Sequence, residues 1–271
     1  MIEILTRPAT TFRLAAIDFD GTMSLIRIGW QYVMHGVMKH ALHAVVPNPD
    51  SIDAEIFGYI ARSTGQPSII QMAWVDEQVI MHGGPARGAQ YYLDQFSEAL
   101  RSQIDATIAT IHDDQSADAV MVPGARAFLQ LLRDHHIRIA LVSGTEHHHL
   151  LRESAALRIA HYFDAGIYGP GTHDPGFTKS DSIAGLCQRY QVPTGALLSV
   201  GDGPVEIHAG KALNGYSLAV ASHEVSGGLD PHKRDHLIAA GADAVVANFV
   251  DIADIQALLF AQGHTDATAT L

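Results

Sequence analysis

Arg13-Leu-Ala-Ala-Ile17 runs without a break into Asp18-Phe-Asp-Gly-Thr22, and the reading of this junction decides the fold. A short apolar run closed by glycine is how a buried parallel strand meets a loop. Asp18 and Asp20 stand two residues apart, so they share a face for as long as the extended conformation persists. Gly21 then lets the chain turn away without a Cβ clash.

Downstream, the character of the chain changes. From about Leu25 to about Gln115 the periodicity is helical, with hardly any strand signal. The spacing predicts a helix over Ile26–Val46, stopped by Pro47-Asn48-Pro49. A second, Ser51–Ser63, has Asp50 or Ser51 as its N-cap and Gly65 just past its end. A third, Ser68–Met81, has Pro67 near its start and Gly83-Gly84-Pro85 as its stop. A long amphipathic helix over about Gly88–His112 completes the set.

After Pro123-Gly124 helices and strands alternate strictly. Helix Ala125–Asp134 leads to strand Ile137–Val142, and helix Glu146–Leu157 to strand Gly166–Tyr168. Helix Ser180–Tyr190 leads to strand Ala196–Val200, helix Val205–Leu213 to strand Ser217–Val220, and helix His232–Ala240 to strand Ala244–Val246. Helix Ile252–Ala261 comes last, and the tail Gly263–Leu271 reads as loose. Such alternation implies a parallel sheet covered on both faces. The expected architecture is α/β: a Rossmann-like parallel-sheet core, residues 1–24 and 116–271, with an all-helical domain, residues 25–115, inserted after the first strand.

Composition narrows the function classes. The 271 residues carry 17 Lys plus Arg against 29 Asp plus Glu, a net charge of −12. That balance argues against a nucleic-acid partner, because affinity for a phosphate backbone comes largely from Lys and Arg. Cys187 is the only cysteine, which excludes an internal disulfide and a Cys-rich zinc site. No stretch approaches the roughly 20 apolar residues of a membrane span. The N-terminus shows no basic region followed by an apolar run, so the expectation is a cytoplasmic protein.

Three polar residues close three apolar strands: Asp18, Ser143 and Asp202. The C-termini of parallel strands lie along one edge, where open α/β folds bind ligands, so the three should converge. Carboxylates gathered at one point repel unless a cation sits between them. Oxygen-only ligands of this kind suit Mg²⁺, which takes a few carboxylates plus water and a substrate phosphate. Compensating donors for that phosphate are at hand in Ser143, the Gly144 amide, and Lys179 beside a helix start.

With these residues in view, the sequence resembles the haloacid dehalogenase superfamily in its phosphatase branch. Four motifs occur in the family's order: Asp18-Phe-Asp-Gly-Thr22, Ser143-Gly144, Lys179 and Gly201-Asp-Gly-Pro-Val-Glu206. The helical insert falls where this family places its first-type cap. The resemblance implies a Mg²⁺-dependent phosphomonoesterase acting on a small phosphorylated molecule, such as a sugar phosphate, in two steps. Asp18 would be the nucleophile that becomes an aspartyl-phosphate, and Asp20 the general acid and base. Asp18, the Asp20 backbone carbonyl and Asp202 would bind the metal. Thr22, Ser143, Gly144 and Lys179 would hold the phosphate. Glu206 departs from the Asp common at its position; it would either coordinate directly or, as preferred here, stand beside the metal ligands.

The second acid discriminates within the family. Its dehalogenases need no acid there, and its phosphonoacetaldehyde hydrolases carry Ala and use a cap lysine. This chain has Asp20, and Lys39 is its only cap lysine. The alternatives are a phosphomutase of the same type and a phosphate-binding module without turnover.

Arg27 follows the first motif and would either reach a substrate anion or form a structural ion pair. His82 and Arg87 flank the Gly83-Gly84-Pro85 turn, which could carry them over the site. Trp30, Tyr91, Tyr92 and Phe96 read as packing within the helical insert. His147, His148 and His149, three consecutive residues on a helix, point three ways and are not expected to converge on one ion. His35, His40 and His43 read as surface or packing. Nothing in the sequence specifies the oligomeric state.

Overall fold

The computed structural model describes residues 2–46, 52–63, 68–171 and 176–260. The Pro47–Pro49 stop, the cap candidates Asp50 and Ser51, Gly65, Pro67 and the tail Gly263–Leu271 lie outside the described residues. The described residues group into two compact units: one up to Ile26 and from Thr110 onward, the other Arg27–Ala109.

The first unit is built on one seven-stranded sheet. Its strands are β1 (Ile2–Ile4), β2 (Leu14–Ile17), β3 (Arg138–Val142), β4 (Gly166–Tyr168), β5 (Leu197–Gly201), β6 (Tyr216–Val220) and β7 (Ala244–Val246). They lie in the order β1-β7-β6-β5-β2-β3-β4. Every neighbouring pair is parallel except β1 with β7. This is the expected Rossmann-like α/β core, with one correction. The helical insert follows the second strand in chain order, because Ile2-Glu3-Ile4 also joins the sheet. Three residues are too few to show a period of two. What fixes this edge strand is distant in sequence: Arg234 donates two hydrogen bonds of 2.6 Å to the Glu3 carboxylate.

All four residues of β2 are buried. Successive strand residues face opposite ways, so both faces of the central strand are covered. On one face Leu14 and Ala16 pack with Ile183 and Leu186 of α8 (Lys179–Arg189) and Ala209 of α9 (Pro204–Ala212). The other helices of this unit are the short α5 (Asp114–Asp118), α6 (Ala125–Asp134), α7 (His147–Ala156), α10 (Pro231–Ala239) and α11 (Ile252–Phe260).

The second unit holds four helices, α1 (Trp30–His43), α2 (Ile52–Ser63), α3 (Ser68–Met81) and α4 (Ala89–Ile108). Its core follows the helical period: Met34, Met38 and Leu42 from α1, Ile52, Ile56 and Ile60 from α2, Met72, Val75 and Val79 from α3. Each such fully buried side chain contributes roughly 1.5–3 kcal/mol. Tyr92 and Phe96 join this core and Trp30 packs against it, whereas Tyr91 is exposed.

Among the helix ends that differ from expectation, two have clear local reasons. α1 begins at Trp30, not Ile26, because Gly29 has φ +80° and breaks the helical path. α4 ends at Ile108, not His112. Asp113 then caps α5, accepting from the Ser116 N–H while Ser116 reaches back, a box closed by Ser in place of the usual Glu. No described helix is long and apolar enough to cross a membrane.

Candidate active site

Strand register assembles the site. Ile17 is level with Leu141 on one side and Val200 on the other. Asp18, Ser143 and Asp202 therefore leave the sheet at the same edge, one or two residues beyond these partners. Asp18 is buried, and its Oδ1 accepts a 2.7 Å hydrogen bond from Lys179 Nζ. The same ammonium donates to Glu206 Oε1.

Lys179 is the first residue of α8, whose N-cap Thr178 accepts from the Asp181 N–H at 3.0 Å. Glu206 lies in the first turn of α9, which starts with Pro204. Two helix N-termini thus deliver a cation and a carboxylate to Asp18. Gly144 borders the same lysine side chain, since a Cβ there would lie 3.9 Å from Lys179 Cε.

Gly21 brings the first motif against Asp202. Its φ is +72°, and a Cβ on it would stand 2.1 Å from Asp202 Oδ2. Only glycine satisfies both the backbone and the contact. Thr22 is fully buried, and its Oγ1 has no hydrogen-bond partner among the described residues. A hydroxyl buried in that state is poised for a ligand oxygen. Ser143 is also buried, and its Oγ accepts from the Thr145 N–H at 3.1 Å.

The electrostatics carry the marks of crowded carboxylates. Burial pushes Glu206 up to about 7, helped by the Asp18 charge and opposed by Lys179. Burial likewise raises Asp202 to about 6; Lys233 opposes this and Asp18 adds to it. Burial alone would depress Lys179, but Asp18 and Glu206 outweigh it and hold the ammonium above its ordinary value.

Three participants escape a motif-based reading. Thr145 donates its hydroxyl to Asp20 Oδ2 at 2.7 Å; the run Ser143-Gly144-Thr145 was its only signal. Lys233 Nζ lies 2.8 Å from Asp202 Oδ2, and Glu224 lies 3.7 Å from that ammonium. Neither belongs to a motif; the turn after β6 and the start of α10 bring them in.

Arg27, His82 and Arg87 belong to the helical unit. His82 Nδ1 is 2.9 Å from the Gln78 carbonyl, and the Arg87 guanidinium sits 4.8 Å over the Tyr91 ring. Asp76 Oδ1 accepts from the Arg87 and Gly88 N–H groups, at 2.9 and 3.0 Å. In the same unit His35 stacks on Phe57, with Nε2 3.2 Å from Asp53 Oδ1. In the histidine run at the start of α7, His148 and His149 come together with Glu146, all three ligand atoms lying within 4.8 Å of one another, and His147 stands outside this group.

A parallel, Rossmann-like α/β sheet thus collects at its strand ends a buried aspartate, a bridging lysine and further carboxylates. The model of the haloacid dehalogenase-like hydrolases matches residues 12–214, and the chain belongs to that family. No curated protein matches it significantly. Among solved structures it resembles a predicted phosphoglycolate phosphatase from Haemophilus somnus, at 16% identity over 92% of this chain and 99% of that one, with a TM-score of 0.60. It also resembles a predicted phosphatase from Clostridium acetobutylicum, at 15% identity over 91% and 98%, TM-score 0.57. A conserved haloacid dehalogenase-like protein of unknown function from Agrobacterium tumefaciens shares 17% identity over 91% and 98%, TM-score 0.61. At these identities the likeness is one of fold.

Proposed function

We propose that the protein is a Mg²⁺-dependent phosphomonoesterase that cleaves a small organic phosphate through an aspartyl-phosphate on Asp18. The observation that carries this reading is the bridge from Lys179 to Asp18 and Glu206, together with a buried Thr22 hydroxyl that has no hydrogen-bond partner among the described residues. A nucleophile paired with a fixed ammonium, and a donor with nothing yet to donate to, match the needs of a phosphoryl group.

The donor set fits a small hard cation. Asp18 and Asp202 offer oxygen ligands only, and the Asp18 charge disfavours ionisation of Asp202, which a divalent ion would relieve. Asp18, the Asp20 carbonyl and Asp202 would hold it; bound there, Mg²⁺ neutralises charge on the phosphoryl oxygens.

The protein's own groups carry the chemistry. An Asp18 carboxylate oxygen bonds to phosphorus as the ester P–O bond breaks, and Asp20 gives its proton to the departing alkoxide. Water then attacks the aspartyl-phosphate, Asp20 takes a proton from it, and inorganic phosphate leaves with Asp18 restored. Thr22, Ser143, the Gly144 amide and Lys179 hold the phosphoryl oxygens, and Glu206 keeps Lys179 in place. The helical unit Arg27–Ala109 serves as the cap that excludes water, with Arg27, His82 and Arg87 as its candidates for substrate contact. The resemblance of fold to proteins named as phosphatases points the same way.

The test is release of inorganic phosphate from an aryl phosphate and a panel of metabolite phosphates, with and without Mg²⁺. Turnover should require the metal and vanish in Asp18→Asn. No turnover across the panel would refute the reading, and interconversion of sugar-phosphate isomers without net release would make the protein a mutase instead.

A further inference from the structure

We infer that Glu146, His148 and His149, at the start of α7, form a metal site of their own for a transition-metal ion of the Zn²⁺ type. The carboxylate and the two imidazoles each present a ligand atom within 4.8 Å of the other two. Glu146 Oε2 and His148 Nδ1 are 3.5 Å apart. That matches the edge of a tetrahedron, about 3.4 Å, when the bonds to the centre are about 2.1 Å long.

The backbone explains why these three meet. Glu146 is the N-cap residue of α7, with φ −51° and ψ 137°, and its side chain makes no capping hydrogen bond. The carboxylate is instead turned towards His148. Glu146 and His149 are three apart, the spacing that puts a Glu and a His on one helix face. The His148 ring lies against that of His149, centroids 3.9 Å apart and tilted by 39°, so the two imidazoles do not splay as adjacent helical residues usually do.

The ligand chemistry differs from that of the candidate active site. Two imidazoles and one carboxylate suit Zn²⁺ and its neighbours in the series, whereas oxygen-only sets suit Mg²⁺. The carboxylate also has a specific role. The positive end of the α7 dipole opposes a cation, and Glu146 offsets it. Glu146 and His148 are exposed, which leaves an entry path and room for water as a further ligand. The site stands or falls independently of the phosphatase reading.

The experiment is titration of the full-length protein with Zn²⁺ in excess Mg²⁺, followed by calorimetry and repeated with Co²⁺ followed by its visible absorption. Wild type should bind one more equivalent than His148→Ala/His149→Ala. Glu146→Gln should weaken that equivalent about tenfold, and His147→Ala should leave it unchanged. Equal stoichiometry and affinity in wild type and the double variant would overturn the inference. So would a loss in His147→Ala as large as in His148→Ala. These side chains lie outside the core, and matching circular dichroism of the variants confirms that a lost equivalent is a lost ligand set.

Discussion

Lys233 Nζ lies 2.8 Å from Asp202 Oδ2, so a carboxylate in the proposed Mg²⁺ site already has an internal cation on it. The two positive charges compete for one side chain. Unit charges about 4 Å apart interact by about 1 kcal/mol in a water-like medium, and more where water is excluded. Lys233→Met should therefore tighten Mg²⁺ binding at least about fivefold, read as a lower dissociation constant and as a larger Mg²⁺-induced rise in melting temperature without substrate. Weaker binding in the variant would mean that Lys233 orients Asp202 for the metal.

The bridge at Lys179 makes a prediction about stability as well as activity. Its ammonium is the counter-ion of two carboxylates that are only 6% and 5% exposed. Removing one partner of a buried ion pair costs about 3–5 kcal/mol, because the other charge is left uncompensated. Lys179→Met should lose that much in denaturant unfolding, along with turnover. Adding Glu206→Gln removes one stranded charge, so the double variant should be more stable than Lys179→Met alone.

Gly21 is the residue whose side chain must stay absent. With φ at +72° and Asp202 Oδ2 in the place of a Cβ, Gly21→Ala must strain the backbone or displace the carboxylate. A strained non-glycine residue in this region costs about 1–3 kcal/mol. The expected outcome is that loss of stability together with a large fall in Mg²⁺ affinity, while the far-ultraviolet circular dichroism is unchanged.

The candidate site was legible where it sits on motifs ordered by the sheet. Asp18, Ser143 and Asp202 each close an apolar strand, and the register places those ends at one edge whatever lies between them. Glu206 was legible as a position, but not as the carboxylate that takes the second hydrogen bond of Lys179. Thr145 was hidden because a threonine three residues past a strand has no distinctive pattern. Lys233 was hidden because its partner is 31 residues away in sequence. β1 was missed for the same reason: its pairing with β7 and the Glu3–Arg234 fork are long-range, and three residues carry too little local signal. The approach of His148 and His149 to Glu146 was not legible, because it depends on side-chain directions at the helix start that residue spacing does not fix.

Alkaline pH offers a test of the core that is independent of catalysis. Tyr216 is buried and donates its hydroxyl to the Thr6 carbonyl at 2.9 Å. Burial, with the Asp243 charge adding to it, pushes its phenol above the ordinary value of 10.0. The unfolded chain thus loses this proton near pH 10 while the folded protein keeps it. Stability from this group is complete below pH 10 and declines as pH rises above it. Tyr216→Phe should give a shallower fall in unfolding free energy between about pH 9.5 and 11, measured by urea denaturation at each pH; an unchanged slope would contradict the assignment.

Thr145 should act through Asp20, as a positioning residue. Its hydroxyl donates to Asp20 Oδ2 at 2.7 Å, and its N–H donates to Ser143 Oγ at 3.1 Å. One residue thus ties the proposed acid and base to the loop proposed to bind phosphate. A hydrogen bond to a charged group contributes about 1.5–3 kcal/mol, and its loss lets Asp20 leave the line between leaving oxygen and attacking water. Thr145→Val keeps the shape and removes the donor. It should lower kcat about tenfold or more with KM nearly unchanged, since phosphate contacts from Thr22, Ser143 and Lys179 remain. Thr145→Ser restores the hydroxyl and should recover most of the rate. If both variants fall equally, or if KM rises while kcat holds, the hydroxyl acts on substrate binding and not on Asp20.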